Sequence, residues 1–118
     1  PSAEAALADA HAAGRGVIVK EALANGRLTD RNTALGHAVR AALASAHDGA
    51  ASLDQVALAA ALARDFVDVV LSGAGTVAQL RSNAAAAELA TSLDLDAVVS
   101  VAESPDRYWR ERAALPWN

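Results

Sequence analysis

The stretch Phe66 to Asn83, FVDVVLSGAGTVAQLRSN, constrains the fold more than any other part of the chain. Val67, Val69, Val70 and Leu71 form a short, nearly continuous run of β-branched and apolar residues, the pattern of a strand buried on both faces. The run stops at Ser72. Gly73 and Gly75 then flank Ala74, so positive φ, or an approach too close for a side chain, is expected at one of the two glycines. A helix should begin at once, because Thr76 is a good N-cap and Gln79 stands three residues later, the spacing of a capping box. A strand that delivers its carboxyl end to a glycine turn and a helix N-terminus makes an anion site, since free N–H groups and the helix dipole point at one place. The expected anion is a phosphate.

A second short buried strand is predicted at Val17, Ile18 and Val19, followed by a connecting loop from Lys20 to Leu28. No hairpin joins it to the run at Val67. The residues between them hold two helical patterns, so a parallel βαβ crossover is the natural connection. The first pattern runs from about Thr33 to Ala46, weakened at Gly36, and 47–51 breaks it. Ser52 and Gln55 are a second capping box, opening a helix from Leu53 to Ala63 whose apolar residues spread around most of its circumference. After the glycine turn, Val77, Leu80 and Ala84 mark the expected inner face of a third helix, to about Leu89. A first helix over Ala3 to Ala13 is capped by Ser2 and ended by Gly14, Asp94 or Asp96 opens a short one through Val101, and Ser104 with Pro105 starts one through Arg112. Alternating elements of this kind mean a helix-rich α/β protein with a parallel sheet, here of only two strands and therefore open at both edges.

Composition supports helices over sheet. Of the residues, 53% are hydrophobic but only 3% aromatic, and much of the apolar count is alanine, the best helix former. The net charge of −4 argues against nucleic acid or anionic lipid as partners. With no cysteine, disulfides and thiolate metal sites are excluded, and without a secretory h-region or an 18-residue apolar run the expectation is a soluble, cytoplasmic protein with no membrane partner. The lack of methionine and the opening at Pro1 within a helix start read as a chain cut from something longer.

Candidates for chemistry are few. His11 falls in the last turn of the first helix, where the dipole explains it. His37 and His47 lie about 80° apart on a regular helix, without carboxylate or cysteine partners, so no metal site is expected. Tyr108 sits beside Trp109, where packing is a sufficient role, and no serine–histidine–acid spacing occurs.

Three runs, GVIVKEALANGRL, VDVVLSGAGTVAQLRSN and SPDRYWRERAALPWN, together resemble the C-terminal part of the aldo/keto reductases. The resemblance implies that residues 1–118 are one segment of a (β/α)₈ TIM barrel, holding its seventh strand at Val17–Lys20, its eighth at Val67–Leu71 and a C-terminal tail over 104–118. It also implies a nicotinamide dinucleotide, NADP or NAD, as ligand in the intact parent. Gly73, Ala74, Gly75 and Thr76 would lie at its adenosine phosphate, Gln79 and Asn83 at the adenine end, and Glu21, Leu23, Asn25 and Gly26 along the pyrophosphate. Gln79 is equally explained as a capping partner of Thr76, and Asn83 as a solvated helix residue. Members that select the 2′-phosphate often carry serine where Gly75 stands, so the choice between NADP and NAD stays open. Lys20 stands where the family usually places an aromatic ring on the nicotinamide. The family's catalytic residues come from earlier strands, so this chain implies cofactor binding without catalytic residues, with the missing N-terminal part of the barrel as partner. The rival expectation is a non-enzymatic, self-associating helical module.

Overall fold

The computed structural model describes residues 3–32, 37–47 and 51–114. At its centre two short strands, β1 (Ile18–Val19) and β2 (Val69–Val70), pair in parallel with Ile18 opposite Val69 and Val19 opposite Val70. Amides of Val69 and Leu71 donate to the carbonyls of Val17 and Val19 at 3.2 and 2.9 Å. The crossover between them contains α2 (His37–Ser45) and α3 (Leu53–Leu62), as the absence of a hairpin turn required. Before β1 lies α1 (Glu4–Ala12), and after β2 come α4 (Val77–Leu89), α5 (Leu95–Ser100) and α6 (Pro105–Ala113). The molecule is thus helix-rich α/β around a two-stranded parallel sheet.

Local chemistry sets most helix ends. Gly14, at φ +77°, closes α1: its amide donates to the His11 carbonyl at 2.8 Å and that of Arg15 to Ala10 at 3.1 Å, the two bonds of a Schellman cap. The proposed Ser2 cap lies outside the described residues, as do the Thr33–Gly36 start of α2 and the tail beyond Ala114. Ser52 and Gln55 form the expected capping box, with the Ser52 amide donating to Gln55 Oε1 at 2.9 Å. Asp94 rather than Asp96 caps α5, accepting from the Ala97 amide at 3.1 Å, and its own amide donates to the Ala46 carbonyl at 2.8 Å, tying α5 to the end of α2. Ser104 accepts from the Arg107 amide at 3.4 Å with Pro105 following at the first helical position.

The core is organised by α3, which serves two clusters. Leu53 and Val56 pack with Leu43 of α2, surrounded by Val98 and Val101 from the α5 region. On another side of the same helix, Leu58 and Ala59 pack with Ala86 of α4, beside Val70 of β2 and Leu23 of the loop after β1.

Two expectations fail here for physical reasons. Val77, Leu80 and Ala84 are not the inner face of α4; Val77 and Leu80 are 66% and 55% exposed. The face that packs on α3 carries Ala86, fully buried against Ala59, because two methyl-bearing positions let the helices approach closely where branched side chains would hold them apart. Nor is the sheet covered on both faces. Val17 is 4% exposed and Val70 reaches the α3–α4 cluster, whereas Ile18 is 64% exposed and Val69 and Leu71 face outward with it. Strand periodicity separates the two sets, so burial alternates along each strand.

Candidate functional site

Parallel pairing places the loops that leave β1 and β2 at one end of the sheet, the carboxyl end, where open α/β sheets bind ligands. The β2 loop is closed by its own side chains. Ser72 Oγ accepts from the Ala74 amide at 3.3 Å and from Asn83 Nδ2 at 2.8 Å. Gln79 Oε1 accepts from the Gly75 amide at 2.9 Å, while Thr76 Oγ1 accepts from the Gln79 amide at 3.2 Å, so the box reaches one residue further back than the usual pattern. Thr76 is the N-cap, in extended conformation, and the helix runs for 13 residues behind it.

The expectation of a special glycine backbone in this turn is not met. Neither Gly73 nor Gly75 has positive φ. A Cβ built on Gly73 would meet nothing within 4 Å, and one on Gly75 only Gln79 Oε1 at 3.6 Å, an ordinary contact. The turn is an extended segment fastened by Ser72, Gln79 and Asn83, which needs no left-handed residue; its glycines leave open space instead. Gln79 and Asn83 each spend one polar atom on this closure, and Gln79 Nε2 and Asn83 Oδ1 make no hydrogen bond among the described residues. Among the described residues, the amides of Val77 and Ala78 have no acceptor, and both residues are exposed at the helix start. A shallow cleft of about 210 Å³ is lined by Leu58, Val70, Ser72, Leu80 and Asn83, and not by Val77 or Ala78.

The β1 loop is built differently. Glu21, Ala24 and Asn25 have φ of +59°, +49° and +57°, and Gly26 has +82°, so three consecutive residues are left-handed. Each such non-glycine residue costs roughly 1–3 kcal/mol, less for asparagine, and persists only where its surroundings hold it. Leu23 is one such anchor, half-buried in the α3–α4 cluster rather than aimed at solvent. Arg27 is the other. Its guanidinium donates to both carboxylate oxygens of Glu103 at 2.8 and 3.2 Å and to Glu111 at 3.0 Å, and lies 5.7 Å from the centre of the Tyr108 ring. The Glu103 hydrogen bond foremost, with the nearby Glu111 charge, raises the Arg27 pKa above its ordinary value. Arg107 in turn donates to Glu111 at 2.8 Å, which holds that carboxyl below its ordinary range. At the loop's other end Glu21 stands 3.6 Å from Arg112.

The sequence reading thus missed Ser72, which closes the β2 turn, and Arg27, which anchors the β1 loop. The signal for the second was present: Glu103, Arg107 and Glu111 at spacings of four form a charged stripe on and just before α6 that requires a cationic partner. Tyr108 lies edge-on to Trp109 at 5.0 Å on a helix without a buried residue, the Trp109 ring itself being exposed. His11 Nδ1 lies 3.5 Å from Asp68 Oδ2, which also accepts from the Val17 amide at 2.6 Å; this pair fastens the amino end of the sheet, opposite the two loops. No group of side chains suited to a metal ion occurs among the described residues. No helix there is long and apolar enough to cross a membrane. No family model, curated protein or solved structure matches the chain.

Proposed function

We propose that the chain is the cofactor-binding C-terminal portion of a nicotinamide-dependent carbonyl reductase of the aldo/keto reductase type, with β1 and β2 as the seventh and eighth strands of a (β/α)₈ barrel. The observation that carries this reading is the open start of α4, after the turn that leaves β2 and at the same end of the sheet as the loop of its parallel neighbour. The amides of Val77 and Ala78 would donate to a phosphate of NADP or NAD, with the helix dipole favouring the negative charge. Open space above Gly73 would admit the ligand, and Gln79 Nε2 and Asn83 Oδ1 would meet its adenine. The nicotinamide supplies the hydride chemistry. Proton transfer to the carbonyl would fall to residues from the barrel's earlier strands. The uncovered face of Ile18, Val69 and Leu71 fits the same reading, since that face would line the barrel interior.

The test is a titration with NADPH and NADH of the chain and of its Val77→Pro variant. Proline at the first helical position removes one donor while leaving the helix intact. Loss of one charge-assisted bond, about 1.5–3 kcal/mol, weakens binding roughly ten- to a hundredfold. Equal affinity in the two chains removes the helix start from the site.

The exposed sheet face also favours a second reading, a self-associating module without enzymatic activity. Covering Ile18, Val69 and Leu71 from about half exposure is worth roughly 2–5 kcal/mol, a large share of a small domain's stability. Sedimentation separates the two: a defined oligomer that binds neither dinucleotide is the result expected of the second.

A further inference from the structure

Residues remote in sequence converge on the left-handed turn of the β1 loop. Arg27 follows Gly26 directly, and its carboxylate partners Glu103 and Glu111 lie just before α6 and in its last turns, 76 and 84 residues further along the chain. Arg112, on the same helix, stands against Glu21 at the opposite end of the loop. Within the loop, the Ala24 amide donates to Glu21 and that of Leu28 to Leu23, bonds that a relaxed turn could also make. What distinguishes this turn is that both its ends are gripped by one helix.

The grip depends on guanidinium geometry. A planar fork can hold one carboxylate with two bonds and a second with a third, which an ammonium group cannot do. Arg27 and Arg107 together balance Glu103 and Glu111, so α6 docks as part of a neutral four-charge cluster.

We infer that Arg27 is a positioning residue and α6 a latch: through Glu103 and Glu111 it holds residues 24–26 left-handed, and so sets the loop at the end of the sheet where the phosphate site is proposed. The latch follows from the contacts alone; its effect on the ligand rests on the proposed function. Release of α6 therefore loosens the β1 loop while the glycine turn, fastened by its own residues, stays as it is.

Amide hydrogen exchange on the chain, on Glu103→Gln/Glu111→Gln and on Arg27→Lys tests the latch. Exchange at residues 24–28 should rise at least tenfold in the double variant and by less in Arg27→Lys, with the amides of Val56 to Ala59 in α3 unchanged. Unchanged exchange in the loop overturns the latch, as does a rise that α3 shares equally, which marks a general loss of stability. NADPH titration of the same chains tests its effect on the site: a roughly tenfold weaker affinity in the double variant supports it, and equal affinity overturns it. If no chain binds NADPH, the phosphate reading is discarded, and the exchange result alone decides the latch.

Discussion

The loops leaving β1 and β2 both turn the chain out of a strand, but they do so by opposite means. The β2 turn contains two glycines and uses neither for its conformational freedom; the amide and hydroxyl side chains of Ser72, Gln79 and Asn83 close it. The β1 loop contains one glycine and places three non-glycine residues in left-handed backbone, held by Leu23 in the core and by ion pairs from α6. A glycine in a turn is therefore no guide to where strain is stored. Strain collects where distant parts of the chain can hold it, and a turn fastened by neighbours a few residues away has no need of it.

This contrast can be broken most sharply by exchanging the glycines. Gly26→Ala is expected to lower stability by about 1–2 kcal/mol in thermal or urea unfolding, because an L residue resists φ near +82°. Gly73→Ala should leave stability within about 0.5 kcal/mol, since nothing opposes its Cβ. A Gly73 variant as costly as the Gly26 variant would show that the β2 turn also depends on glycine. A smaller effect, near 1 kcal/mol, is expected of Thr76→Ala, which removes the hydroxyl that accepts from the Gln79 amide. Its loss should fray the first turn of α4, read by hydrogen exchange there, and leave residues 24–28 untouched. The mildest perturbation is acid. Glu111 titrates below its ordinary value of 4.5 because Arg107 hydrogen-bonds its charged form, with Arg27 and Arg110 adding to the effect. Its contribution is thus fully present above pH 4.5 and fades as pH falls through the lower, folded-state value. Tyr108 ring resonances should respond over that interval before those of Val56 in the core.

Much of the fold was legible because capping is local. Thr76 and Ser104 each announce a helix start through a side chain and an amide three residues apart, and both cap their helices; at Ser52 it is Gln55 that closes on the Ser52 amide, and of the two candidates Asp94 and Asp96 the first caps α5. The parallel pairing was legible from the lack of any hairpin turn. The inner face of α4 was not, because alanine gives a hydrophobic pattern no contrast: Val77 and Leu80 outweigh Ala86 on any apolar scale, yet closeness of approach selects the smaller side chain. At the candidate site, Gln79 could be placed as the partner of the helix start from spacing alone, whereas the bond between Asn83 and Ser72 spans eleven residues and the grip on Arg27 spans 76 or more. The stripe of Glu103, Arg107 and Glu111 marks one side of that grip, but no spacing names Arg27 as its partner.

The position of α3 has a consequence for how the molecule comes apart. Because one ten-residue helix supplies Leu53 and Val56 to one cluster and Leu58 and Ala59 to the other, neither cluster can dissolve without disturbing the helix that supports its neighbour. Melting should accordingly be a single cooperative event across α2, α3, α4 and β2. The β2 turn, exposed along most of its length, is left to open on a separate and faster schedule, whereas the β1 loop is tied through Leu23 to the same event.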